Sequence, residues 1–170
     1  GASNWELERF SQARTYAIQN EKEPFIVLSN NFSLAEMVEP VWPGCVGVND
    51  AYLKYLIEEN IMLFPWSSQA RGFFIKKKEA MSNEHFSNPT LDEEMRVWHY
   101  EKNLNRRQKC FEIAEQRNVQ PIQIALAYVL HKSHLIFPLI GPRTIFETNS
   151  SIQASKIELS AKELLALAQD

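Results

Sequence analysis

Leu63-Phe64-Pro65-Trp66 is an apolar run closed by an aromatic ring, and the residues after it supply two hydroxyls, an amide and a guanidinium: Ser67, Ser68, Gln69 and Arg71, ahead of Gly72. Hydroxyls and amides both donate and accept, and a guanidinium makes charge-assisted bonds to phosphate oxygens, so this loop can hold a phosphorylated ligand. Taken alone, a Ser/Gln/Arg run is more often a solvated turn. A second segment of the same kind lies near the other end. Pro138-Leu139-Ile140-Gly141-Pro142-Arg143-Thr144 leaves an apolar run and enters a helix, where free backbone N–H groups and the helix dipole favour an anion. A third, Gly1-Ala2-Ser3-Asn4-Trp5, opens the chain at a helix start.

The elements that must carry these loops alternate between strand and helix. Ser3 with Glu6 forms the pattern of a capping box, and Leu7, Phe10, Ala13, Ala17 and Ile18 recur at helical spacing to about Gln19. Phe25-Ile26-Val27-Leu28-Ser29 is continuous rather than alternating, which predicts a parallel strand buried on both faces. Asp50 is placed to cap a helix running to about Asn60 with Tyr52, Leu53, Leu56 and Ile57 inward, and a second strand covers residues 61–66. Residues 68–100 form a long irregular insertion holding Lys76-Lys77-Lys78, Ser82-Asn83 and Asn88-Pro89. A polar helix follows from near Tyr100 to Arg117, then a helix opened by Pro121, a strand at 136–139, and a last helix announced by Ser160 with Glu163, with Leu164, Leu165 and Leu167 on its apolar side. Loops at the C-terminal ends of the strands would then make the site.

Composition narrows the function. The 170 residues, 45% of them apolar, predict one domain over 1–170, short of the roughly 250 residues of a closed (β/α)8 barrel. A net charge of −3 provides no basic field for nucleic acid, and the lysine triplet is a solvated loop. Apolar runs such as 124–130 fall short of the roughly 20 residues that cross a bilayer. Neither a membrane span nor a secretory leader is expected. Cys45 and Cys110 lack CxxC spacing, which gives a zinc site no support and fits a cytoplasmic protein.

In order and spacing the three loops, with the NPTLDEEMRVW stretch and the QIALAYVL helix, resemble the last half of an aldo/keto reductase. The resemblance implies an α/β fold: a partial (β/α)8 TIM barrel holding about its last three strands with their helices and a C-terminal extra helix. It further implies an oxidoreductase that uses NADP or NAD to reduce a small carbonyl substrate. Family members carry their catalytic Asp, Tyr, Lys and His on the first four strands, so no catalytic residue is assigned here, and this chain would supply the cofactor half alone.

The same resemblance assigns the cofactor groove. Ser3 and Asn4 look like the pair that bonds the nicotinamide carboxamide, although Ser3 can equally be a plain helix cap. Asn31 falls where the family has a Gln with that role. Trp66 stands where a Tyr or Trp stacks on the nicotinamide, and Ser67, Gln69 and Arg71 match the loop around the pyrophosphate; a solvated charge is the plainer alternative for Arg71. Gly141, Arg143, Glu147 and Ser151 correspond to the segment that grips the adenosine 2′-phosphate, with Gly141 in place of Lys, Glu147 in place of Arg or Gln, and Ser151 in place of Asn. A carboxylate at Glu147 would repel a 2′-phosphate yet accept from a ribose 2′-OH, leaving both NADPH and NADH open.

The remaining titratable and aromatic groups have plainer readings. His85, His99, His131 and His134 follow no strand, and Tyr16, Tyr52, Tyr55, Tyr100 and Tyr128 fall in helices or at their edges. Phe73, Phe74 and Trp98 are packing residues or a substrate wall. Two rival readings stand beside the enzyme: a non-catalytic nucleotide-binding or interaction module completed by a complementary half-barrel or by self-association, and an inactive truncated fragment.

Overall fold

The computed structural model describes residues 1–75 and 96–169. Strands β1 (Ala2–Ser3), β2 (Val27–Ser29) and β3 (Met62–Leu63) form a sheet in the order β1-β2-β3, every pair parallel, with Ala2 opposite Leu28 and Leu28 opposite Leu63. Residues 135–139 continue it. Leu63 N–H donates to Leu135 O at 2.9 Å, Phe137 N–H to Leu63 O at 2.8 Å and Leu139 N–H to Pro65 O at 2.9 Å, with a parallel bridge between Leu63 and Ile136. Pro138 has no N–H to add, so the predicted strand at 136–139 is present as an interrupted ladder. β1 went unforeseen because two residues carry no periodicity. The architecture is α/β with parallel strands, each laid beside its predecessor in sequence.

Helices α1 (Leu7–Gln19), α2 (Asp50–Glu58), α3 (Glu101–Arg117), α4 (Pro121–His131), α5 (Ile145–Ala154) and α6 (Ala161–Ala168) follow, with α4 packed between α3 and α5 and α6 against α3, and a 3-10 turn spans Ala70–Gly72. The sheet departs from the predicted burial on both faces. Leu28, Ile61, Leu63 and Ile136 are buried against the helices, whereas Val27, Met62 and Phe64 are half-buried and Phe137 and Leu139 are each 47% exposed. Continuous apolar strands need two covering layers, and among the described residues only one is supplied.

The caps show how the sequence sets the helix ends. Ser3 does not cap α1: its hydroxyl donates to Ser29 O at 2.8 Å, joining β1 to β2, and the helix begins after Glu6. The α1 terminus is closed by a distant side chain, Tyr52, whose hydroxyl accepts from Leu7 N–H at 2.8 Å and donates to the Glu6 carboxylate at 2.9 Å. Burial, reinforced by that carboxylate, pushes the Tyr52 phenol up to about 12. α2 is capped by Asn49 rather than Asp50, since Asn49 Oδ1 accepts from Tyr52 N–H at 3.2 Å. Pro121 opens α4 as predicted, behind a Gln120/Gln123 capping box, and Ser160 with Glu163 closes the N-terminus of α6 reciprocally. At their other ends α1, α2 and α3 each turn through one left-handed residue, Glu21 (φ 53°), Asn60 (φ 53°) and Asn118 (φ 52°). In α1 this is a Schellman motif: Lys22 N–H donates to Ala17 O at 2.8 Å and Glu21 N–H to Ile18 O at 3.2 Å.

Burial refines the amphipathic assignments. α1 turns Phe10 and Arg14 inward and leaves Ile18 exposed, with the Arg14 guanidinium donating to Phe25 O. α2 buries Tyr52, Leu53 and Leu56 but not Ile57, and in α6 the buried residue is Leu167 while Leu165 faces water. The polar α3 buries Asn103, Arg106, Cys110, Ile113 and Ala114 along one stripe, and α4 is buried from Pro121 through Val129. Phe73, Phe74 and Trp98 are in the same core at 1%, 0% and 0% exposure, so they are packing residues, not a substrate wall. Lys76-Lys77-Lys78, Ser82-Asn83, His85 and Asn88-Pro89 lie outside the described residues.

Candidate functional site

Two loops at the C-terminal edge of the sheet converge to make a cleft of about 270 Å³. One wall is the segment after β3, presenting Ser67, Gln69 and Arg71; the other is the run after the 135–139 segment together with the first turns of α5, presenting Gly141, Arg143, Glu147 and Ser151. These seven residues were assigned to a cofactor groove from sequence, and the fold brings them together across 70 and more positions of chain.

Local backbone explains how the first wall turns so tightly. Ser67 (φ 48°), Ala70 (φ 47°) and Arg71 (φ 49°) are all left-handed, followed by Gly72 (φ 96°), and each non-glycine residue in that region carries a steric cost of roughly 1–2 kcal/mol. Such strain persists where surrounding contacts hold it. One of those contacts is Ser68, buried to 1% exposure, whose hydroxyl donates to Leu139 O at 2.8 Å and fastens one wall to the other. Ala70 N–H to Ser67 O at 2.8 Å closes the turn itself.

The second wall is built differently from expectation. Thr144 caps α5, its hydroxyl accepting from Glu147 N–H at 3.1 Å, and the Glu147 carboxylate folds back to accept from Arg143 N–H at 2.5 Å. A buried carboxylate therefore already occupies this helix start, and the open anion site read from the sequence is not available there; the negative charge offsets the dipole that would attract a phosphate. Arg143 stands exposed at the rim. A Cβ at Gly141 would meet no atom within 4 Å, so a larger side chain fits. Ser151 is buried, and its neighbour Ser150 donates to Gln120 Oε1 at 2.8 Å while its carbonyl accepts from Gln123 at 3.2 Å, anchoring this wall to α4.

Ser3, Asn4, Asn31 and Trp66 sit apart from that cleft, on the mouths of β1 and β2 and just past β3. Ser3 is exposed. Asn4 takes a left-handed conformation (φ 55°), and its side-chain oxygen accepts from Val46 N–H at 3.2 Å. Asn31 is buried to 2% exposure and donates from Nδ2 to Trp66 O at 3.1 Å; it also lines a second cleft, of about 540 Å³, beside Lys102, Arg106 and Lys132. Trp66 is half-buried, its indole N–H without an acceptor, and its ring stacks on Trp42 at 5.3 Å between centroids and 26° between planes.

Ser68 and Gly72, both in the loop singled out from sequence, line the cleft as well; sequence reasoning missed Ser150 on the cleft and Trp42 on the Trp66 ring. For Trp42 a signal existed: Trp42-Pro43-Gly44-Cys45 is a turn sequence with an aromatic at its first position. His131, by contrast, has a structural role. His131 Nδ1 donates to Ala127 O at 2.8 Å and its Nε2 accepts from Leu159 N–H at 3.2 Å. All five tyrosines fall in α1, α2, α4 or at the start of α3. Cys110 is buried, which pushes its thiol pKa up and keeps it unreactive, and both cysteines are unbridged. Among the described residues no His/Cys/Asp/Glu group could hold a metal, and no helix is long and apolar enough to cross a membrane.

The sequence and the fold have counterparts in known proteins. The family model described as the aldo/keto reductase family matches residues 1–169. A norsolorinic acid reductase of Emericella nidulans is 35% identical over 62% of this chain and 25% of its own length. One from Aspergillus flavus is 28% identical over 90% of this chain and 35% of its own length, and an aryl-alcohol dehydrogenase of Pestalotiopsis microspora is 25% identical over 91% and 36%. The chain thus spans about a third or less of these relatives. The crystal structure of the thermostable aldo-keto reductase Tm1743 with the inhibitor epalrestat superimposes with a TM-score of 0.64 at 18% identity, over 98% of this chain and 46% of that one. Parallel strands in sequential order, a two-loop cleft at their C-terminal edge and a family match over nearly every residue lead to one assignment: this chain belongs to the aldo/keto reductase family.

Proposed function

We propose that the chain supplies the dinucleotide-binding half of an NAD(P)-dependent carbonyl reductase, as about half of a (β/α)8 barrel folded as one domain, with the proton donor contributed by residues outside 1–170. The observation that carries this reading is the cleft itself. Its donor set of Ser67 and Ser151 hydroxyls, the Gln69 amide and the Arg71 and Arg143 guanidinium groups suits the phosphates and ribose hydroxyls of a nicotinamide dinucleotide. Asn4 and Trp66 lie toward the sheet mouth, where an amide can bond a carboxamide and a flat ring can fix one face of the nicotinamide. The bound cofactor would supply hydride to the carbonyl carbon of the substrate. Glu147 at the adenosine end favours a free 2′-hydroxyl over a phosphate, so NADH is accepted alongside NADPH.

The division of labour follows from the tyrosines. The family's proton donor is a Tyr at a strand mouth, and none of the five in this chain occupies such a place. Sequential parallel strands favour a barrel over a doubly wound sheet, whose order reverses at a switch point. The apolar face of Met62, Phe64, Phe137 and Leu139 is suited to packing against further barrel strands or a second copy. The relatives' names favour an aryl carbonyl as substrate, and two unbridged cysteines favour the cytoplasm.

Titrating NADH and NADPH into the full chain, with carbonyl reduction followed in parallel, tests the proposal. Dinucleotide binding without turnover of aryl aldehydes and ketones is expected, with light scattering showing association beyond the monomer. Absence of binding to either dinucleotide would overturn the reading. So would turnover abolished by a substitution within this chain, because it would place the proton donor here.

A further inference from the structure

The connection from β2 to α2 runs back across the sheet mouth instead of out into solvent. Asn31 N–H donates to Val46 O at 2.9 Å and Val48 N–H to Asn31 O at 2.8 Å, drawing the returning arm of the loop alongside the strand end. The arm then meets two of the groove residues. Val46 N–H donates to Asn4 Oδ1 at 3.2 Å, and the Trp42 ring lies on Trp66 with 5.3 Å between centroids. Trp42 is presented by a turn: Cys45 N–H donates to Trp42 O at 3.2 Å, with Pro43 and Gly44 between them and Gly44 at φ 86°, the combination a type II turn requires. Despite its stacking contact, Trp42 is 49% exposed. The outgoing arm is held by Arg96, which donates to Pro40 O at 2.5 Å and Val41 O at 2.9 Å.

Each of these contacts offers the groove what a nicotinamide would offer it. A backbone amide N–H presents the same donor to Asn4 as a carboxamide N–H, and an indole presents a flat π-face to Trp66. We propose that residues 42–46 are an autoinhibitory strap, in which the Val46 N–H and the Trp42 ring fill the carboxamide and ring positions of the nicotinamide subsite and must lift before a dinucleotide seats there. The inference rests on the reading that Asn4 and Trp66 hold the nicotinamide. Arg96 holds Pro40 and Val41 at one end and the Asn31 carbonyl holds Val48 N–H at the other, so lifting residues 42–46 breaks the bond from Asn31 N–H to Val46 O while both arms stay attached. A strap of this kind lowers apparent affinity by the fraction of chains that stand open.

The test uses the full chain and its Trp42→Ala, Trp42→Phe and Trp66→Ala variants, titrated calorimetrically with NADH and NADPH. Far-ultraviolet circular dichroism follows the exciton couplet of the stacked indoles. Trp42→Ala is expected to bind roughly three- to tenfold more tightly, the equivalent of one aromatic pair, with Trp42→Phe between it and the parent. The couplet is expected in the free chain and lost at saturation. Trp42 sits exposed at a turn tip, so its replacement leaves folding intact, and the couplet measurement on the unmodified chain needs no variant at all. Unchanged or weaker binding by Trp42→Ala, or a couplet that survives saturation, overturns the strap. If Trp66→Ala weakens binding in that same experiment, the strap fails while the nicotinamide reading stands. If Trp66→Ala made in the Trp42→Ala background binds as tightly as Trp42→Ala itself, or neither dinucleotide binds any variant, the reading fails and takes the strap with it.

Discussion

Ser68 and Leu139, 71 positions apart, are joined by a 2.8 Å hydrogen bond from the serine hydroxyl to the leucine carbonyl, and that bond spans the cleft between its two walls. The hydroxyl is buried, so removing it strands an acceptor away from water. Ser68→Ala is expected to lower unfolding free energy by about 1–2 kcal/mol, measured by urea titration. It should also weaken dinucleotide binding, because the left-handed turn at 67–72 loses a tether. A stability within 0.3 kcal/mol of the parent, on the order of the resolution of such measurements, would mean that the walls are held by other contacts.

Cofactor choice should respond at the second wall. Glu147→Gln keeps an oxygen to accept from Arg143 N–H while removing the charge, and Gly141→Lys adds a cation where a side chain meets no obstacle. Each is expected to shift relative affinity toward NADPH by roughly three- to tenfold, one charge beside a phosphate in an open cleft contributing on the order of 1 kcal/mol. Paired titrations of NADPH and NADH against each variant decide it. An unchanged ratio would place the 2′ position away from α5.

Acid stability should depend on the pair between α3 and α6. Arg117 Nε and Nη2 lie 2.6 and 2.7 Å from the two Glu163 oxygens, and that hydrogen-bonded guanidinium, with the Ser160 contacts, holds the Glu163 carboxyl down at about 2. A depressed folded-state value contributes stability that is complete above the ordinary carboxylate range and fades as pH falls from about 4.5 through about 2. Glu163→Gln retains a capping oxygen for Ser160 but should lose this dependence. Melting temperatures from pH 7 to 2 are expected to converge for the two proteins at the acid end, and parallel curves would count against the assignment.

The Schellman turn that ends α1 places Glu21 where glycine is favoured. Glu21 is exposed, so Glu21→Gly removes a Cβ clash without opening the core. Relief of the left-handed strain exceeds the added unfolded-state freedom, and a gain of about 0.5–1 kcal/mol is expected by chemical denaturation. A loss instead would show that the Glu21 side chain makes a compensating contact.

Much of the fold was legible because its signals are local. Pro121, the Ser160/Glu163 box and the apolar runs before Ser29 and Trp66 act within a few residues, and the structure places α4, α6, β2 and β3 accordingly. Ser3 misled because its hydroxyl found a partner 26 residues away, a carbonyl on β2, in preference to its own helix. Tyr52 was opaque for the same reason, since it caps a helix 45 positions upstream. In the candidate site, residue types picked out both walls of the cleft. What they could not carry was how those groups are already engaged: Glu147 folded onto Arg143, Asn31 donating to the Trp66 carbonyl, and Trp42 lying on Trp66.

Anchoring one wall to α4 divides the cleft into two tiers of local stability. Gln120 and Gln123 grip Ser150 from a helix buried along nearly its whole length, so the amides of α5 near Ser150 should exchange with solvent deuterium only as fast as the whole core opens. The turn at 67–72 is strained and fastened by Ser68, and its amides should exchange through small local openings that leave the core intact. A ligand bridging the two walls would raise protection in the turn far more than in α5, so deuterium uptake at 67–72 becomes a reporter of occupancy that needs neither turnover nor a spectroscopic label.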